Sequence, residues 1–343
     1  MKAYRFHEWG GGARLEDIPV PQPGPGQALI RIGGAGACHS DIHIMYEWKP
    51  ENMPPLRHVS LPFTLGHENA GWIEGGDPGS LKIGSPVVAS PTWNCGHCRS
   101  CRQGATNYCE RKDALSGGLG LDGGLAEYMV APTNCLVPLR SLEPWQAAPL
   151  SDAGLTSYHA VKRCLADLTP GTTAVVIGVG GLGHMAVAYI RQLSGARIIA
   201  VDRDAKALEL ARSLGADLCL SSDDTTPTQI LDATDNLGAA AVLDFVGIDA
   251  TLAMAAQCAR KCGQIVIVGI GGGTLPFRFG MVPNGCRVVF TMGGSTGELA
   301  EVVSLVEGGR VKPHIERFTL DEVDEVYNKL KANQISGRAV LVP

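Results

Sequence analysis

Apolar positions change their period near residue 150. Before that point, short β-rich runs at 28–32, 85–89 and 126–130 are separated by Gly- and Pro-rich turns. Such runs between turn signals predict a largely antiparallel, loop-rich β domain, with the opening residues 1–12 as its first strand. From 144 to 162 the pattern is helical, and beyond it strands and helices alternate. Strands are predicted at 173–177, 197–201, 217–220, 240–245, 264–268 and 286–292, with helices at 182–193 and 205–214. This rhythm predicts an α/β fold with a doubly wound parallel sheet. A helix at 298–307, a Pro-containing connector, a short helix at 320–330 and a strand at 338–342 complete the chain. This tail is expected to return to the first domain. The predicted organisation is a β-rich domain over 1–152, an α/β domain over 153–293 and a return segment over 294–343.

Composition narrows the class without changing this picture. A length of 343 residues is enough for two cores, and 45% hydrophobic with 18% charged residues describes a globular chain. No apolar run reaches 18 residues, so no membrane span is expected. The N-terminus lacks the apolar core of a signal peptide. A formal charge of -5 gives no electrostatic reason to expect nucleic acid or anionic membrane as a partner. Eleven cysteines are an odd number and too few for a disulfide scaffold. Without an export signal the expected setting is the reducing cytoplasm, where clustered cysteines suggest metal and isolated ones suggest core.

Gly178, Gly180 and Gly183 spell G-x-G-x-x-G between a predicted strand and a predicted helix. The first glycine permits the turn, the second lets the backbone approach a pyrophosphate, and the third lets the helix pack on the sheet. Gly181 and Leu182 complete the loop, whose helix N-terminus offers free N–H groups to phosphate. With 44 glycines in the chain, chance alone supplies about 0.7 such matches, so the motif needs its context. A second copy, Gly118, Gly120 and Gly123, lacks a preceding strand and a following helix and is read as a loop. The first copy has Asp202 at the end of the next strand, placed to accept from the adenosine ribose hydroxyls. A carboxylate there repels a 2′-phosphate, so NAD is expected over NADP, with Arg203 beside it softening the preference.

Cys95, Cys98, Cys101 and Cys109 read C-x2-C-x2-C-x7-C in a polar segment, within a lobe over 93–111. Four thiolates suit a closed tetrahedral Zn2+ site with no position left for substrate, hence a structural metal. Two disulfides and an iron–sulfur cluster are the alternatives. Three distant segments each supply one further ligand candidate: the thiol of Cys38, the imidazole of His67 and the carboxylate of Asp152. Taken singly these read as core, surface and helix-cap residues.

Together with G-H-E at 66–68, the cysteine lobe, the glycine loop and the closing G-R-A-V-L, these segments resemble the zinc-containing medium-chain dehydrogenase/reductase family. The resemblance runs over essentially the whole chain. It implies a Rossmann-type domain for NAD and a GroES-like, mostly β catalytic domain. It also implies two zinc ions per chain, with Cys38, His67 and Asp152 holding the catalytic one. Many members carry cysteine at the third position; Asp152 resembles the bacterial NAD-dependent secondary alcohol dehydrogenases, and a carboxylate leaves the zinc more electrophilic than a thiolate does. By the same resemblance Glu68 lies behind the zinc as a transient ligand, and Asp41 fixes the His67 tautomer. The alcohol proton leaves through Ser40, the nicotinamide ribose and His43 to water as hydride passes to the nicotinamide. Thr156 and Ile270 meet the nicotinamide end of the cofactor, and His39 and Arg338 its pyrophosphate.

The substrate pocket candidates are Trp48, Trp93 and Leu119, together with Ile270 and Ser40. The proline-bearing segment 46–60 forms its expected rim. Apolar walls favour hydrophobic or aryl secondary alcohols and ketones over polyols. A sorbitol-type polyol or primary-alcohol dehydrogenase is the alternative, and a metal-free quinone or enoyl reductase is a more distant one. The predicted strand 286–292 is expected to pair edge to edge with a second subunit, giving the homodimers or homotetramers that the family forms.

Overall fold

The computed structural model describes residues 1–49, 59–111 and 116–343. Most of the expected pocket rim at 46–60 therefore lies outside the described residues. The chain forms two compact units: Met1–Leu155 with Gly293–Gly309 and Pro313–Pro343, and Thr156–Met292 with Arg310–Lys312.

The first unit is built on a seven-stranded sheet. Its central strand Gln27–Gly36 pairs antiparallel with Glu68–Gly76, Tyr128–Pro132 and the terminal strand Arg338–Val342. Strand Lys2–Phe6 pairs with Ala13–Asp17 and Phe63–Thr64 in a smaller sheet. The core between them is filled by Tyr4, Phe6, Ile30, Met45, Leu65, Ile73, Leu125 and Met129. The return segment belongs here: Tyr327 and Leu330 of helix Val323–Lys331 join the same core. That helix is amphipathic, burying Val323, Val326, Tyr327 and Leu330 at helical spacing.

The second unit carries a six-stranded, all-parallel sheet. Its strands run in the order Leu218–Ser221, Arg197–Asp202, Thr173–Ile177, Ala239–Asp244, Ala259–Ile267 and Arg287–Phe290. The order reverses between Thr173–Ile177 and Ala239–Asp244, which opens a crevice at the carboxyl ends of those two strands. The middle strands are buried and rich in Val, Ile and Ala, as a sheet covered on both faces requires.

Several elements differ from expectation. The helix predicted over 144–162 is interrupted: Pro144–Ala147 is α-helical, Ala148–Ser151 forms a 3-10 turn, and Ala153–Cys164 starts a new helix. Pro149 has no amide hydrogen to continue the ladder, so the chain turns there and Asp152 sits in the break. Helices Thr226–Asp232 and Asp249–Cys258 were not expected. The second, DATLAMAAQC, is apolar around most of its circumference, so its period is hidden. Among the described residues no helix is long and apolar enough to cross a membrane.

Candidate active site and cofactor loop

The metal cluster is assembled from four places in the first unit. Cys38 ends the run after strand Gln27–Gly36, and His67 precedes strand Glu68–Gly76. Asp152 occupies the helix break, and Arg338 opens the terminal strand. The Cys38 Sγ lies 3.6 Å from Asp152 Oδ2, and His67 Nε2 lies 3.5 Å from the same oxygen. A tetrahedral zinc with ordinary S, N and O bond lengths places such atoms about 3.6 and about 3.4 Å apart. The observed spacing fits that ion. Glu68 offers a further oxygen, and one ligand atom from each of the four residues lies within 4.8 Å of the others.

Electrostatics point the same way. Burial opposes a charge on His67, yet Asp41, Cys38 and Asp152 outweigh it and raise its pKa well above the usual range. This cluster of acids and a thiol is built to hold positive charge. His67 Nδ1 faces Asp41 Oδ1 at 3.2 Å, which leaves Nε2 turned toward Asp152 and Cys38. Such an Asp–His pair sets the tautomer a metal ligand needs. Asp41 Oδ2 also accepts the backbone N–H of Cys38 at 3.0 Å.

Glu68 is fully buried and paired with Arg338, whose Nε donates to Glu68 Oε2 at 3.2 Å. Burial pushes the Glu68 carboxyl upward and the guanidinium pulls it back. Arg338 Nη2 also lies 3.7 Å from Asp152 Oδ2. The structure thus gives Arg338 a place beside the candidate metal ligands, which its chain position did not announce. Ser40 is half-buried with its Oγ 3.6 Å from Cys38 Sγ. His43 is half-buried, its Nδ1 paired with the Glu47 carboxylate and its ring stacked on Trp48 at 5.6 Å. His39 is exposed at the start of the same turn. Trp48, Trp93 and Leu119 are half-buried along the edge of the first unit's core.

The second glycine copy, read as a loop, instead carries two short paired strands, Ser116–Gly117 and Gly120–Leu121, and no helix follows it. A Cβ on Gly118 or Gly123 would fall 2.1 Å from the Gly66 carbonyl oxygen. That oxygen accepts from Gly124 N at 3.0 Å and from Asn69 Nδ2 at 2.9 Å. The loop therefore braces the peptide that precedes His67.

In the cysteine lobe the Cys95 and Cys101 sulfurs lie 4.0 Å apart, and all four ligand atoms lie within 4.8 Å of one another. Four thiolates about 2.3 Å from one ion would stand about 3.8 Å apart, so zinc fits here too. Amide N–H groups point at the sulfurs: Cys98 N at Cys95 Sγ and Cys101 N at Cys98 Sγ, both at 3.4 Å. The amides of Cys101 and Glu110 draw the Cys98 thiol down to about 6, whereas burial pushes Cys101 up to about 12. All eleven cysteines are free thiols.

The glycine loop of the second unit has the form the motif demands. Gly178 has φ +80°, and a Cβ there would strike Val246 Cγ2 at 2.5 Å. A Cβ on Gly183 would fall 1.9 Å from the Gly178 carbonyl oxygen. A Cβ on Gly180 would meet nothing within 4 Å, so the backbone there faces open space, as a phosphate-binding turn requires. Helix Gly183–Leu193 starts just beyond Leu182, whose carbonyl accepts from Ser157 Oγ at 2.8 Å. Asp202 Oδ2 accepts Val179 N at 2.7 Å and Oδ1 accepts Asp204 N at 3.0 Å, which fixes the carboxylate. Arg203 beside it is exposed. Thr156 is buried and Ile270 half-buried. Asp244 was not anticipated: its Oδ1 accepts Val246 N and Gly247 N at 2.8 and 3.0 Å, shaping the turn that abuts Gly178.

Comparison with known proteins agrees with this geometry. Residues 24–141 match the alcohol dehydrogenase GroES-like domain, and residues 181–308 match the zinc-binding dehydrogenase domain. The chain is 38% identical to an NAD-dependent alcohol dehydrogenase of Sulfurisphaera tokodaii, over 100% of both chains. It is 35% identical to a D-arabinose 1-dehydrogenase (NADP(+)) of Saccharolobus solfataricus, over 100% of this chain and 97% of the other. Among solved structures it superposes on the acetophenone reductase of Geotrichum candidum in complex with NAD. The TM-score is 0.87 at 31% identity, covering 100% of this chain and 97% of that one. The chain belongs to the zinc-containing medium-chain dehydrogenase/reductase family, and it is an oxidoreductase of the NAD-dependent alcohol dehydrogenase type.

Proposed function

We propose that the protein interconverts a hydrophobic, aryl-tolerant secondary alcohol and its ketone, using NAD and a zinc ion on Cys38, His67 and Asp152. The observation that carries the proposal is the spacing of those three ligand atoms, 3.6 and 3.5 Å about a shared carboxylate oxygen. Zinc bound there supplies a Lewis acid that lowers the pKa of an alcohol. NAD, held by the 178–183 loop and Asp202, supplies the hydride acceptor, with Thr156 and Ile270 toward its nicotinamide end and His39 and Arg338 toward its pyrophosphate. Ser40 takes the hydroxyl proton, and His43 hands it to solvent. Glu68, backed by Arg338, balances charge behind the three ligands. The four-cysteine lobe holds a second, structural zinc.

Trp48, Trp93 and Leu119 offer an apolar wall, and the acetophenone reductase likeness supports an aryl ketone. The D-arabinose dehydrogenase likeness favours a second reading, a sugar or polyol substrate. A panel of 2-butanol, 1-phenylethanol, a primary alcohol, sorbitol and D-arabinose, each with NAD and NADP, decides between them. Highest kcat/KM on 1-phenylethanol or 2-butanol with NAD is expected; highest kcat/KM on the sugar or polyol sinks the secondary-alcohol reading.

The working form is a homodimer or homotetramer in the reducing cytoplasm, the latter in keeping with eleven cysteines none of which forms a disulfide. Strand Arg287–Phe290 ends the six-stranded sheet with one side unpaired among the described residues, and Phe290, Met292, Phe277 and Phe279 are exposed in the same unit. An unprotected apolar edge of this kind invites pairing with a second copy. Light scattering on the purified protein tests it, and a monomer at micromolar concentration overturns it.

A further inference from the structure

The Asp41 carboxylate touches two of the three metal ligands, through the His67 ring at 3.2 Å and the Cys38 backbone N–H at 3.0 Å. It has a third partner, from the far end of the chain. The hydroxyl of Tyr327 donates to Asp41 Oδ2 at 2.8 Å, in a fully buried contact between residues 286 positions apart. Tyr327 is 2% exposed and Asp41 is 0% exposed, so water does not stand in for this donor. Burial and the neighbouring carboxylate hold the phenol well above its ordinary pKa, which keeps it a donor.

Tyr327 is itself held from two sides. Its ring stacks on Tyr4 with centroids 5.8 Å apart and planes 17° apart. The Tyr4 hydroxyl donates to Asp324 Oδ1 at 2.6 Å, one turn earlier on the same helix as Tyr327. The first strand of the chain thus pins the Val323–Lys331 helix, and the helix presents one hydroxyl to the carboxylate that aligns Cys38 and His67.

We propose that Tyr327 is a positioning residue of the catalytic metal site: its hydroxyl locks the Asp41 rotamer, and through Asp41 the orientation of His67 and the Cys38 backbone. The inference rests on the reading of Cys38, His67 and Asp152 as zinc ligands. A buried carboxylate with three donors has little freedom; one deprived of the Tyr327 hydroxyl can rotate, and the imidazole rotates with it. The return segment then has a chemical role in addition to a packing one.

The test is the rate at which a chelator strips zinc from the purified protein, comparing wild type with Tyr327→Phe. That change removes the hydroxyl and keeps the ring. The structural lobe serves as an internal reference, and the phase absent from Asp152→Ala identifies the catalytic site. In Tyr327→Phe the catalytic-site zinc is expected to leave roughly tenfold faster, the lower end of the effect of removing a ligand's supporting partner. The structural zinc is expected to leave at the wild-type rate. Equal catalytic-site release in wild type and Tyr327→Phe overturns the proposal, as does faster release of both ions together, which marks general loosening. A wild-type protein with no zinc at the Asp152-dependent site instead sinks the ligand assignment on which the proposal rests.

Discussion

Arg338 and Glu68, 270 residues apart in the chain, meet as an ion pair with 3% and 0% of their side chains exposed. Neither charge has water to fall back on. Removing one partner leaves the other buried and uncompensated, at a cost of about 3–5 kcal/mol, whereas replacing both with apolar groups of similar size is close to neutral. Arg338→Met is therefore expected to lower the urea midpoint sharply, and Arg338→Met with Glu68→Leu to recover much of the loss. Equal midpoints for the single and double variants would show that the pair contributes little.

On the proposed assignment Asp152 is the third zinc ligand, at a position where many members are expected to carry cysteine. Asp152→Ala should yield protein with one zinc in place of two and turnover reduced by at least about 1,000-fold, because the Lewis acid is lost with its ligand. NAD affinity, read by quenching of protein fluorescence, should change less than about threefold, since no residue of the 178–183 loop is touched. Sustained turnover would disprove the ligand assignment.

The Asp202 carboxylate is held by two backbone N–H groups in a single orientation. On the proposed cofactor site, Asp202→Gly removes the charged acceptor for the ribose hydroxyls, so kcat/KM for NAD should fall on the order of 100-fold. With the carboxylate gone and Arg203 exposed alongside, the value for NADP should rise. Steady-state kinetics with both cofactors check the pair of changes, and an unchanged ratio would place the adenosine ribose elsewhere.

The cysteine lobe is predicted to act on stability alone. Cys101→Ser, at the buried ligand, should remove one zinc and lower the thermal midpoint by roughly 10 °C or more, because binding energy at a structural zinc is folding energy. Metal content and calorimetry on the same sample test it. Loss of zinc with no change in the midpoint would mean that the lobe folds without its ion.

What was legible in the chain was whatever is local. The cysteine lobe spans 15 residues, so spacing alone exposed it, and the glycine loop needed only its own strand, helix and Asp202 to stand apart from the copy at 118–123. Asp202 was legible because a βαβ unit has a fixed length. The Asp41 support of His67 was read, but the layer behind it was not, since Tyr327 reaches Asp41 and Arg338 reaches Glu68 through tertiary packing that leaves no periodic trace. Tyr327 sits on the buried stripe of an amphipathic helix, where a tyrosine reads as one more core residue until its hydroxyl is located. The helix at 249–258 escaped for the opposite reason, because uniform apolarity erases the period that would reveal it.

Leu119 stands one residue after Gly118 in the loop whose backbone is pressed onto the Gly66 peptide. Anyone reshaping substrate preference by randomising this stretch would find it unequally forgiving. Diversity at Leu119 alters only what a side chain offers, but any substitution at Gly118 or Gly123 pushes on the residue before His67. A library that treats 118–123 as one variable cassette would discard most of its members as inactive before selectivity is ever sampled; one restricted to Leu119 would not.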